Sequence, residues 1–146
     1  INGSTTSINA SYSPIFVTNW NLGSLNLNYV NNAEIDNVKR LMLTSNSSNI
    51  IIKNIINNAI IDGSIGDLKI LKIDDTFTNL NVTLQNSDAV ITLPKVDYSL
   101  QYKGTKSHFS HPKKTSKDNG PGFSIGDLTS PKTIVVNAKY SNVSMQ

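Results

Sequence analysis

The two histidines of this 146-residue chain, His108 and His111, lie three residues apart inside KGTKSHFSHPKKTSKDNGPG, residues 103–122. Imidazoles can hold a metal ion or pass a proton. A metal site asks for more ligands. The chain has no cysteine, the nearest carboxylate is Asp118, and lysines on both sides of the pair repel a cation. Two histidines in such a loop are more often solvated side chains than ligands. The same stretch suggests different chemistry. Lys103, Lys106, Lys113, Lys114 and Lys117 surround Phe109 and the two histidines, with Asp118 as the only acid. A stretch of this kind can hold a polyanion such as an anionic glycan or a lipid head group. Lys103, Lys106, His108, His111, Lys113, Lys114 and Lys117 form the candidate set. The competing reading is a solvated loop kept soluble by its charges, which is what most charge runs are. Neither a cofactor nor specific nucleic-acid recognition is expected.

The carboxylates suggest no catalytic pair. Asp74 and Asp75 are adjacent, which places them in a turn or on opposite faces of a strand, and Asp62 and Asp88 read as turn residues. A glycosidase needs two carboxyls held at a defined separation across a cleft. Nothing in the spacing indicates that, and the expectation is a non-enzyme. The Gly- and Asp-rich nonapeptide of calcium-binding β-rolls is absent. Thr44, Thr76, Thr78, Thr83 and Thr92 do not fall into the single ladder that an ice-binding face would need.

The elements that must carry these residues are strands. The acids are nine Asp and one Glu, Glu34, a skew toward turn formers and away from helix. Residues 49–73, NIIIKNIINNAIIDGSIGDLKILKI, are rich in isoleucine, which is stiff at χ1 and suits strands. Polar residues interrupt every apolar run well short of the roughly 18 residues that a membrane-spanning helix needs. Apolar residues alternate with polar ones at Leu25, Leu27 and Tyr29, Ala33 and Ile35, Leu41 and Leu43, Ile50 and Ile52, Ala59 and Ile61, and Leu68 and Ile70. The pattern continues at Leu80, Val82 and Leu84, then at Ala89, Ile91 and Leu93. Successive groups start about eight or nine residues apart, with one longer step of about twelve. Turn formers separate them, among them Asp36–Asn37, Asn57–Asn58, the stretch Asp62–Asp67 and the stretch Gln85–Asp88. Taken in pairs, they give a unit of roughly 16 to 21 residues, the period of a solenoid. The pentapeptide SIGDL recurs at Ser64–Leu68 and Ser124–Leu128, which predicts equivalent corners at Gly66 and Gly126.

The predicted fold is therefore all-β: a single-stranded parallel β-helix, or β-solenoid, of roughly seven coils at about twenty residues each, of either hand. Each coil buries its apolar face against its neighbours, and asparagines at the corners stack and share amide hydrogen bonds. The rival is an antiparallel sandwich, disfavoured because Asp62–Gly63 is the only clear hairpin signal in the body of the chain. Residues 1–14 read as a polar N-terminal segment or linker, and residues 15–146 as the solenoid domain with a long loop at 103–122. Tyr98 and Tyr102 share parity with Leu100 and are expected to face inward.

The segment NSDAVITLPKVDYSLQYKG, the corner Gly66–Leu68 before a strand, the strand closing in Leu93 and Pro94, the Tyr98-Ser-Leu100 pattern and the short strand Tyr140–Met145 carry a resemblance. Together they resemble a bacterial candidate-adhesin family of β-strand-repeat proteins. That family is a domain of unknown function akin to the head GIN domain of autotransporter adhesins. The resemblance covers roughly residues 15–146. It implies a β-solenoid, export to the periplasm or cell surface, and no catalytic residue to carry over. For a structural or adhesive role, a cell-surface glycan or protein is the expected partner. Where many relatives have Tyr-Gly near the final strand, this chain has Tyr140, Ser141 and Asn142.

Overall fold

The computed structural model describes residues 2–3, 6–112, 122–126 and 131–146. Among them there is no helix, and none is therefore long and apolar enough to cross a membrane. The strands are β1 (Asn2–Gly3), β2 (Thr6–Ser11), β3 (Ile15–Asn28), β4 (Ala33–Asn46), β5 (Ile50–Ile70), β6 (Asn79–Ile91), β7 (Ser99–Thr105), β8 (His108–Ser110), β9 (Gly122–Ile125), β10 (Thr133–Lys139) and β11 (Asn142–Met145). All of them join one sheet, and every pairing is parallel except β7 with β9. The segment 1–14, expected as a linker, contributes β1 and β2, both laid along β3.

The register follows the alternation of the sequence. Leu25 pairs with Leu43, Leu43 with Ile61, Ile61 with Val82, Val82 with Val136 and Val136 with Tyr102. Every member of this row is buried. Paired positions on β3 to β6 are thus eighteen or twenty-one residues apart at this row, within the spacing read from the sequence. A second inward row runs through Val17, Ile35 and Ile52. Burying whole rows of branched side chains against the layers above and below removes apolar surface from water at about 25 cal/mol per Å². That gain is available only because the pairing register keeps one parity inside.

Three local expectations differ from the structure. The strands do not break at Asp36–Asn37, Asn57–Asn58 or Asp62–Asp67; β4 and β5 run through these bends. Tyr29, expected inward, is half exposed in the left-handed region at φ 54°. It belongs to a row of left-handed residues that follow one another from strand to strand: Tyr12, Tyr29, Ser47, Ile65, Asn86, Tyr140 and Lys106, with φ between 49° and 58°. Only Asn86 is a residue that tolerates this region well. The ladder holds the others there: the Tyr29 N–H donates to the Asn46 carbonyl at 2.9 Å, the Ser47 N–H to Ser64 at 2.9 Å and the Tyr140 N–H to Thr105 at 2.9 Å. The third difference concerns SIGDL. Gly66 lies on parallel β5 just after left-handed Ile65, whereas Gly126 follows antiparallel β9, so the two copies are not equivalent corners. What they share is a close approach. A Cβ on Gly66 would collide with the Ser48 carbonyl, and one on Gly126 with the Tyr98 carbonyl. Asp127 and Leu128 lie outside the described residues.

A serine row supports the left-handed corner. The hydroxyls of Ser48, Ser87, Ser107 and Ser141 donate to the carbonyls of Asn46, Gln85, Thr105 and Lys139, each two residues earlier, at 2.9–3.0 Å. The Ser48, Ser141 and Ser107 oxygens also accept the N–H groups of Val30, Ser87 and Ser141, at 3.0–3.1 Å. Asparagine stacking takes the expected form: Asn19, Asn37 and Asn54 share a row, the Asn37 amide donating to Asn19 Oδ1 at 3.2 Å. Asn26 likewise donates to Asn9 at 2.7 Å.

The order of layers departs from the order of the chain. Strand β10 pairs with β6 on one side and β7 on the other, and β11 pairs with β6 and β8. The segment 133–145 is therefore intercalated between two layers that precede it in sequence. Beyond β7, antiparallel β9 covers the edge that would otherwise stay unpaired.

Candidate anion-binding groove

The intercalated strand brings together lysines that are far apart in sequence. Register places Lys103 beside Asn137, and Asn137 beside Thr83. Two residues on, Thr105 lies beside Lys139, and Lys139 beside Gln85. These residues have outward parity because their neighbours Val82, Leu84, Val136, Ala138 and Tyr102 are buried. Along the row between them, side chains shrink from Leu84 through Ala138 to Gly104. Gly122, opposite Lys103 on β9, adds no side chain. The result is an open depression of about 540 Å³ lined by Thr83, Leu84, Lys103, Gly104, Thr105, Gly122, Asn137, Ala138 and Lys139. None of these nine is acidic. The nearest acid in the outward row is Asp62, beside Thr83.

Tyr140 stands at the rim, half exposed, in the left-handed row. The ammonium groups of Lys106 and Lys139 lie 5.6 and 5.7 Å from its ring centroid. Attraction of each cation to the ring offsets part of their mutual repulsion and holds them together. Beneath the groove lies an aromatic cluster. Tyr102 stacks on Phe109 with centroids 4.1 Å apart, and Phe123 packs against Phe109 at 5.5 Å. The Tyr102 hydroxyl fills the space where a Cβ of Gly104 would stand, which explains that glycine. Burial pushes the Tyr102 phenol above its ordinary pKa. The neighbouring Ser107 hydroxyl eases its ionisation, but that hydroxyl donates to the Thr105 carbonyl and lies short of bonding geometry with the phenol.

The residues singled out in the sequence separate into three groups. Lys103 and Lys106 belong to the groove and its rim. His108 lies past the left-handed corner, in the outward row with Asn142, whose amide donates to Asp88 at 3.0 Å. His111 is part of the core. It is 5% exposed, meets the Tyr98 hydroxyl at 3.1 Å through Nε2 and packs 5.4 Å from Phe123. Its burial removes it from any solvent-facing cationic surface, which corrects its place in the candidate set. Lys113, Lys114 and Lys117 lie outside the described residues. Tyr98 and Tyr102 face inward as expected, and burial raises the Tyr98 pKa.

The remaining chemistry is structural. Asp74 opens a turn closed by the Phe77 N–H on its carbonyl: its carboxylate accepts the Thr76 hydroxyl and, at 3.1 Å, the Thr76 N–H. Those bonds, the hydroxyl first, hold its pKa below the ordinary carboxylate value. Lys132 reaches back to the same turn and donates to the carbonyls of Asp75 at 2.7 Å and Phe77 at 2.9 Å.

Sequence reasoning missed Lys139, Tyr140, Thr83 and Asn137. A signal exists in the pattern shared by residues 80–89, 134–143 and 100–109. In each, buried residues occupy the first and third positions and a serine follows the left-handed residue. Comparison with protein-family models, with curated proteins and with solved structures finds no match to this chain.

Proposed function

We propose that this chain is a parallel β-solenoid of seven layers that acts as a non-catalytic, adhesin-like domain in the periplasm or at the cell surface. The observation that carries the reading is the row of seven left-handed residues at one position per layer. Such a row is what successive coils of one repeating path produce, and the long parallel ladders between β3 and β6 agree with it. A scaffold of this kind displays fixed outward rows of side chains to a ligand without moving parts. The resemblance to the candidate-adhesin family supports export, and the adhesive role takes a cell-surface glycan or protein as partner. A purified domain passed over immobilised cell-surface polysaccharides and extracellular proteins should bind at least one saturably and leave it chemically unchanged. Release of new reducing ends or peptides would overturn the non-catalytic reading.

A second reading is favoured by the lysine-lined groove: a binding module for an anionic glycan or other polyanion. The basic stretch of residues 103–117 contributes Lys103 and Lys106, and Lys139 supplies a further cation from the intercalated strand. Retention on immobilised heparin should fall when residues 105–119 are deleted.

A further inference from the structure

We infer that the depression between β6, β10, β7 and β9 is a built site for a single acidic sugar unit, a hexuronate within a polysaccharide chain. The inference rests on the anionic-glycan reading above and narrows it from a charged stretch to one cavity.

The shape comes first. The depression opens on the outward face where Gly122 adds no side chain opposite Lys103. Gly104 is accounted for by the Tyr102 hydroxyl beneath it. Gly122 is not. It lies outside the left-handed region, and a Cβ there would meet only the Tyr102 carbonyl at 3.4 Å, an ordinary contact. Strand geometry would accept a larger residue at 122, and that residue would stand in the groove beside Lys103. At about 540 Å³ the space falls in the range of small-ligand sites, large enough for one or two sugar rings.

The chemistry of the lining comes second. Lys103 and Lys139 stand on adjacent strands two residues out of step, roughly 8 Å apart at Cα from one strand spacing and two residue rises. Among the described residues neither is paired with a carboxylate, so both ammonium groups are available to one carboxylate placed between them. Thr83, Thr105 and Asn137 carry hydroxyl and amide groups that both donate and accept, the complement of sugar hydroxyls. Gly122 leaves the backbone beside Lys103 uncovered, which gives the C–H face of a ring room to approach. A phosphate or nucleic-acid site would be expected to use arginine forks or exposed aromatic platforms. The chain's only arginine, Arg40, lies on β4, away from the groove.

Tyr140 is a positioning residue. It touches no ligand in this scheme and holds the Lys139 and Lys106 ammonium groups near the rim.

The test titrates the intact chain with a defined hexuronate oligosaccharide by calorimetry and by amide chemical shifts. The neutral hexose oligomer of the same length and inorganic phosphate serve as comparison probes. Gly122→Val fills the groove without changing charge, and Lys139→Gln removes one cation. The expected result is saturable uronate binding that weakens at least tenfold in both variants, with shift changes centred on Thr83, Lys103, Asn137 and Lys139. The neutral oligomer and phosphate should bind at least tenfold more weakly than the uronate. Uronate binding unaffected by Gly122→Val would overturn the groove assignment. If that binding were lost only on deletion of residues 105–119, the broader polyanion reading would survive alone. Absence of uronate binding to the unmodified chain, with heparin retention intact, would likewise sink this inference and leave the broader reading standing. Loss of both would remove the two together. Circular dichroism and urea midpoints of each variant separate loss of the site from loss of the fold.

Discussion

Replacing Ile134 by alanine tests whether the segment 133–145 truly lies within the stack. Ile134 is fully buried and pairs with Leu80 on one side and Leu100 on the other, both also fully buried. The change removes three carbon groups. At about 0.8 kcal/mol per buried methylene, the transfer loss is about 2.4 kcal/mol. A cavity term of about 24 cal/mol per Å³ adds up to about 2 kcal/mol if nothing relaxes. The flanking leucines are tied to strands on both sides and have little room to collapse inward. The expected cost is therefore about 3 to 4 kcal/mol, toward the upper part of the usual range. Val135→Ala is the internal control: the residue has outward parity and is only partly buried, so its expected cost is below about 1 kcal/mol. Urea unfolding followed by circular dichroism measures both, with the slope m checked for constancy. Equal small costs for the two variants would refute the intercalation, because a segment lying on the outside of β7 would give Ile134 no enclosed neighbours.

Further outcomes follow from the corner and the turn. Ile65 is β-branched at φ 58° and half exposed, so Ile65→Asn should raise the melting midpoint, with a gain of about 1 kcal/mol from relief of left-handed strain. Gly66→Ala should do the opposite and cost more than about 3 kcal/mol, since the added Cβ meets the Ser48 backbone and the residue sits at φ 135°; denaturant midpoints check this. Ser141→Ala leaves the Ser87 N–H without its acceptor in a buried corner and should cost about 1 to 3 kcal/mol by the same measurement. Asp74 has a folded pKa below its unfolded value. Its contribution to stability is thus complete above the unfolded pKa of 3.8 and is lost as pH falls through the lower folded value. Thr76→Val removes the largest cause of that shift, so the gap in stability between wild type and variant should narrow from pH 6 to pH 2.5. A gap that stays constant over that range would count against this account.

The inward rows were legible because alternation with stiff, branched residues leaves one parity that can be buried. Leu25, Leu43, Ile61 and Val82 were read as inward from that pattern alone. The spacing of eighteen to twenty-one residues between paired positions on β3 to β6 was legible because consecutive groups start at regular steps. The left-handed corner was not, since the usual turn formers pointed to Asp36, Asn37 and the glycine-containing stretches rather than to Tyr12, Tyr29, Ile65 and Tyr140. At those positions ladder hydrogen bonds override side-chain preference, and no local signal records that. Strand order was hidden for a related reason. Residues 80–89, 134–143 and 100–109 carry the same inward pattern, so any of the three could neighbour another. Half of the groove was legible as charge, in Lys103 and Lys106. Lys139 and Tyr140 were not, because only the intercalation brings them from more than thirty residues away.

The intercalated segment also fixes an order of events during synthesis. Residues 133–145 leave the ribosome after the strands on both sides of them. Strands β3 to β6 can pair as they emerge, each with the one before. Strands β7 and β8 cannot take their final places at that time, because their neighbour has not yet been made. Until it arrives, β6 presents a bare edge and an open apolar row ending at Leu80, Val82 and Leu84. The nascent chain thus carries a reserved gap, and Lys139 meets Lys103 only when translation has passed both.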